Sequence, residues 1–177
     1  MSDAQIAEVD TWLTSYKTFD IYQPPWIAVA GRGRDWEANW PIVGADGISS
    51  AYVALEADAA LVFISISIIY RSSTIYRLDI VPSDHTEGNP YSARKYAKDL
   101  PSQFCGPHTH AWEDHRTWIA EHGLGELPFR RPLDPAPSGF PSAFEYVAGE
   151  INLTLLPVHR PIQLPRQIGF SLKGGRA

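Results

Sequence analysis

Cysteine is almost missing from this chain. Its 177 residues contain one, Cys105, so no disulfide can close within it and no site built from two or four cysteines can exist. Long apolar runs are missing too. The longest, residues 61–70, is broken by Ser65 and Ser67 and is too short to span a bilayer. The opening Met1-Ser2-Asp3-Ala4 has no basic stretch leading into an apolar one, which is the form a secretory signal takes. The expectation is a cytoplasmic protein with no membrane partner. An excess of positive charge is also lacking, since 15 basic and 20 acidic residues leave −5. Nucleic-acid binders usually carry a basic footprint, so the balance speaks mildly against DNA or RNA. No repeat or low-complexity tract is present. Gly31-Arg32-Gly33 does not complete a phosphate loop, because Trp36 stands where the third glycine of G-x-G-x-x-G belongs; it reads as a turn.

What is there is an ordinary globular composition, 44% hydrophobic and 20% charged, which disordered chains do not have. The length fits one domain, residues 1–177. Fifteen prolines and thirteen glycines imply short elements and many turns. Charge is uneven. Residues 1–60 hold three basic and nine acidic residues, whereas residues 128–177 hold six and three. Arg130, Arg131, Arg160, Arg166, Lys173 and Arg176 form either a local basic patch or a solvated tail.

The patterning indicates an α+β fold: an antiparallel meander packed against an N-terminal and a C-terminal helix. Ser2 and Gln5 make a capping box before a helix over residues 3–18, with Ile6, Val9, Leu13 and Tyr16 at helical spacing. A strand is expected at residues 26–30. Residues 48–56, 61–70 and 75–81 read as strands. In the second, Ile64, Ile66 and Ile68 alternate with Ser65 and Ser67. In the third, Tyr76, Leu78 and Ile80 share one face, and Arg77 and Asp79 the other. Residues 82–90 and 101–107 read as loops, 91–100 as a short helix, 108–112 as a strand and 113–121 as a helix ended by His122-Gly123. Five prolines make 127–141 irregular, and a last helix starts at Ser142.

One constellation could carry chemistry. Asp79 and Arg77 lie on a polar strand face, His85 follows after Pro82, and Gly106-Pro107-His108-Thr109-His110 places two histidines two apart. On a strand they face the same way, about 6.5–7 Å apart along it. Three chemistries fit. His108 and His110 can bind Zn²⁺ with His85, Asp79 or Asp114 as third ligand. Without a metal, one histidine can act as base and another as acid, with Arg77 stabilising a phosphorane. Or the groups are structural, Asp79 pairing with Arg77 and the histidines bonding across the sheet. The cluster is expected to be solvent-reachable, because two adjacent imidazoles are costly to bury.

The order Arg77-Leu78-Asp79-Ile80, then His85-Thr86 and Asn89-Pro90, then Pro107-His108-x-His110 resembles a family of small, uncharacterised prokaryotic and phage proteins. Those have a comparable strand, a His-Thr-Asn-Pro loop and a Pro-His-x-His strand. It is more distantly similar to TumE-type toxins. The resemblance spans about residues 70–115 and, more loosely, the C-terminal helix. This chain inserts Glu87-Gly88 before Asn89-Pro90 and has Tyr91-Ser92 where the family has Asp-Gly. The resemblance implies a mobile-element or toxin–antitoxin setting with ribonuclease-like activity.

The remaining candidates read as structural. Cys105 near His108 lacks an oxyanion hole, and Trp112 and Trp118 read as core. His122 reads as a helix cap, His115 as part of a solvated helix face and His159 as part of the tail. Two functions stay open. One is a small hydrolase of phosphodiesters, most plainly RNA, using His108, His110, Asp79, Arg77 and His85. The other is a non-enzymatic phage or mobile-element inhibitor that docks on a protein partner, for which the acidic first third is suited.

Overall fold

The computed structural model describes residues 1–29, 35–123 and 125–165. The turn expected at Gly31-Arg32-Gly33 therefore lies outside the described residues, as do Arg166, Lys173 and Arg176.

The fold is α+β. Helix α1 (Asp3–Thr14) begins with the expected capping box, in which the Ser2 hydroxyl accepts from Gln5 N and the Gln5 side chain accepts from Ser2 N. It stops four residues earlier than its spacing suggested. Ser15 is extended, and the chain turns at once into β1 (Lys17–Phe19). There follow β2 (Ile27–Ala28), β3 (Trp36–Gly44), β4 (Ala51–Ala57), β5 (Ile64–Tyr70) and β6 (Ser73–Ile80). After them come β7 (Thr86–Gly88), α2 (Ala93–Tyr96), β8 (Gln103–Cys105), β9 (His108–His110), α3 (Trp112–His122), β10 (Arg131–Pro132) and α4 (Phe140–Glu150).

The main sheet runs β1-β3-β4-β5-β6-β9-β10, with β2 on the far end of β3, and every pairing is antiparallel. Its two faces follow from strand alternation. Across β3, β4, β5 and β6, the register aligns Trp40, Val53, Ile68 and Tyr76 in one row, and Ala38, Leu55, Ile66 and Leu78 in the next. All eight are buried. Against this face lie α4, whose Phe144 meets Phe19 and Trp40, and α1, whose Trp12 packs on Tyr70. The register slips between Ile68 and Ile69, which makes Ile75 an extra residue; a bulge of this kind explains why neighbours Ile75 and Tyr76 are both buried. Ile80 is only partly buried, not in the centre of the core.

Three expectations are corrected. The segments 82–90 and 101–107 are not loops throughout, because β7 and β8 pair within them as a separate hairpin. The helix over 91–100 is a single turn, α2. And α4 starts at Phe140 after Gly139, whose φ of 108° suits only glycine, while the Ser142 hydroxyl donates back to Gly139 O instead of capping. No helix among the described residues is long and apolar enough to cross a membrane.

Candidate functional site

The second face of the sheet is polar. Its register forms one row from Glu37 through Glu56, Ser65 and Asp79 to His108, and another from Asn39 through Ala54, Ser67 and Arg77 to His110. Period-2 alternation, already legible in β5 and β6, is what gathers these side chains once β6 pairs with β9.

Asp79, His108 and His110 come together at the end of the two rows. Oδ2 of Asp79 lies 3.5 Å from His108 Nε2 and 3.4 Å from His110 Nε2, and the three atoms are within 4.8 Å of one another. The imidazole centroids are 5.3 Å apart. Arg77 Nε donates to the other carboxylate oxygen, Oδ1, at 2.9 Å. On the far side of each ring, Nδ1 faces a backbone carbonyl, Gly106 O for His108 and Leu127 O for His110.

The expected exposure is wrong. His108 is 2% exposed, His110 5% and Asp79 8%. Phe104 of the β7–β8 hairpin lies edge-on against His108, and the segment carrying Leu127 covers His110. Both covers come from stretches whose local pattern is irregular. Burial pushes the Asp79 carboxyl up, yet His110 and Arg77 pull it the other way by more, and it is held well below the usual carboxylate range. The Arg77 contact carries that pull, since 2.9 Å is hydrogen-bonding range and the 3.4 Å to His110 is not. Burial pushes the His108 imidazole down, against the opposing pull of Gly106 O and Asp79.

His85 is not brought into this cluster. It bonds Glu87 at 3.1 Å and meets Phe63 edge-on. Asp114 is not a third ligand either, because Arg131 grips both its oxygens, at 2.6 and 3.0 Å. His115 is on no solvated face. It is fully buried, with Nδ1 donating to Ala111 O and Nε2 accepting from Phe129 N. His159 is likewise buried, edge-on to Phe19 and Trp40. Cys105 is exposed, beside the Thr86 hydroxyl. Trp112 is core, its Nε1 donating to Asp10, while Trp118 is partly buried and stacks on His122. Of the six basic residues in the last third, Arg130, Arg131 and Arg160 are described, and each pairs with carboxylates.

Arg77 separates two cavities. One, of about 280 Å³, is lined by Glu56, Asp58, Asp79, Glu87 and His108. The other, of about 310 Å³, is lined by Ser67, Thr74, His110 and Arg130. Glu56, Glu87 and Ser67 were not foreseen as site residues from the sequence, and Arg130 was named only as part of a basic patch. The signal for Glu56 and Ser67 was the alternation within their strands, which is informative only after the register is known. Asn89 was also missed as a positioning residue. Its side chain bonds Pro101 O, Arg130 O and Arg130 N, and so ties the β7–β8 hairpin to the segment over His110. No protein-family model matches this chain, and no curated protein or solved structure matches it.

Proposed function

We propose that this protein is a small cytoplasmic phosphodiester hydrolase acting on RNA, with Asp79, His108 and His110 as its centre and Arg77 and His85 assisting. One observation carries the reading: two imidazole Nε2 atoms converge on a single carboxylate oxygen at the border of two cavities, with a guanidinium between them. The attacking hydroxyl, from water or the RNA 2′ position, would lose its proton to this centre. Arg77, with Arg130 on the second cavity, would face the charge that gathers on the phosphoryl oxygens. His85 bonds Glu87 and meets Phe63, both of which line the first cavity, and it would protonate the leaving oxygen from there. Exposed Phe63 on the first cavity offers a flat surface for a base. The setting implied by the resemblance, a mobile element or a toxin–antitoxin pair, is part of the same proposal.

The test is cleavage of RNA by purified wild type and variants. His108→Ala and His110→Ala should each abolish cleavage, and the double variant should be little worse than either. His85→Ala should slow cleavage without abolishing it, and Cys105→Ser should leave it intact. Because both central rings are buried, alanine also removes packing, so circular dichroism must show that the variants fold. If folded His108→Ala and His110→Ala cleave like wild type, the centre is misassigned; if folded wild type cleaves no RNA, the hydrolase reading fails. A non-enzymatic protein that docks on a partner through its acidic first third then replaces it.

A further inference from the structure

We propose that Asp79 Oδ2, His108 Nε2 and His110 Nε2 bind one divalent transition-metal ion, by its geometry zinc. The argument begins with hydrogens. Nδ1 of each histidine faces a backbone carbonyl, Gly106 O or Leu127 O, which has no hydrogen to give. Each Nδ1 therefore carries a proton, and Nε2 is the nitrogen each ring has left to offer a ligand. Both Nε2 atoms lie beside one carboxylate oxygen, Asp79 Oδ2, which is an acceptor. With both rings neutral, three acceptors gathered in a buried site repel unless a cation sits among them.

The two carboxylate–imidazole separations suit an ion better than a hydrogen bond. At 3.4 and 3.5 Å the Nε2–Oδ2 separations exceed good hydrogen-bonding range. A tetrahedral ion with bonds of about 2.0–2.1 Å places neighbouring ligand atoms about 3.3–3.4 Å apart. An octahedral face at about 2.1 Å would bring them to about 3.0 Å. The surroundings are those of a metal site. Both rings are oriented by Nδ1–H bonds to carbonyls, and Arg77 holds the second carboxylate oxygen so that Oδ2 is the one presented. Glu56, Asp58 and Glu87 around the adjoining cavity give it the negative potential that draws cations in. Asp79 and His108 both line this cavity, which gives water a route to a fourth position. The competing ligands are already engaged: His115 Nε2 by Phe129 N, Asp114 by Arg131 and His85 by Glu87. The ion shares its centre with the proposed hydrolase but does not depend on RNA being the substrate.

The experiment is calorimetric titration of Zn²⁺ into chelator-stripped full-length protein, together with the visible spectrum of the Co²⁺-loaded protein. One equivalent of Zn²⁺ should bind and raise the thermal midpoint, and Co²⁺ should give the intense bands of a four-coordinate site. Asp79→Asn and His110→Gln should abolish both signals. Arg77→Ala, whose side chain is partly exposed, should weaken binding by about 10–100-fold. His122→Ala should bind as wild type does. Absence of saturable binding by folded wild type overturns the proposal, as does undiminished binding by Arg77→Ala together with either ligand variant. If the ligand variants do not fold, a weak octahedral-type Co²⁺ spectrum of wild type overturns it. RNA cleavage that persists in excess chelator would also overturn the ion while leaving the hydrolase standing. Zn²⁺ binding without any cleavage would uphold the ion and overturn the hydrolase.

Discussion

His115 shows what a single residue's neighbours decide. As a letter in 112–122 it sits on a helix with charged residues around it, yet it is wholly enclosed and hydrogen-bonded at both nitrogens. Burial pushes its imidazole down to about 4, with the Ala111 carbonyl pulling the other way and His110 and Asp114 the titratable groups facing it. An unfolded histidine titrates near 6.5. Between these values the unfolded chain binds the extra proton, so stability is fully present above pH 6.5 and falls as pH drops towards 4, by roughly 3 kcal/mol from this group. Denaturation midpoints in chelator from pH 7 to 4 should show this loss. His115→Leu should be less stable at pH 7 by about 1–3 kcal/mol, because Phe129 N–H loses its acceptor, but should lose less on acidification. An equal acid slope in the variant would assign the loss to other groups.

At the scale of elements, β5 and β6 were legible because one residue in two is apolar, and that face is the one α4 covers. Ile66 and Leu78, paired opposite each other, are both fully buried. Ile66→Ala or Leu78→Ala should destabilise by roughly 2–5 kcal/mol, read from urea midpoints; an unmoved midpoint would mean the core face is misassigned. Lys17 was not legible. Its ammonium is fully buried in a cage of the Leu13, Ser15 and Ile151 carbonyls, over the Trp12 ring. It closes the end of α1 and joins it to the end of α4. Lys17→Met should cost about 1–3 kcal/mol by stranding those carbonyls, and a neutral result would show that they find other partners. The three-residue strands β7 and β8 were missed because an element that short carries no period; they exist through pairing with each other.

Over the described molecule, the main core joins Ile6 of α1 to Ile162, and Trp118 links it to a small second cluster of Ala93, Ala97 and Phe129. Near- and far-ultraviolet signals should therefore report a single coincident unfolding transition; two separated transitions would divide the chain into independent units. Asn89 works at the same range. Asn89→Ala should release the β7–β8 hairpin from the Arg130 segment, raise amide exchange over 86–105, and weaken whatever Asp79, His108 and His110 do. Unchanged exchange there would show that Phe104 alone seats the hairpin. The sequence by itself determined the α+β class, the capped first helix, the apolar face of β5 and β6, and the placing of Arg77 and Asp79 together on the opposite face. Each of these follows from spacing within one element, where the period of helix or strand relates near neighbours. Only the tertiary structure decided that β9 lies beside β6, that His108 and His110 face one carboxylate oxygen, that His85 stays outside, and that the cluster is covered. Those facts depend on which strands pair and on what a hairpin and an irregular segment fold over, and no local period encodes contacts between residues so far apart in the chain.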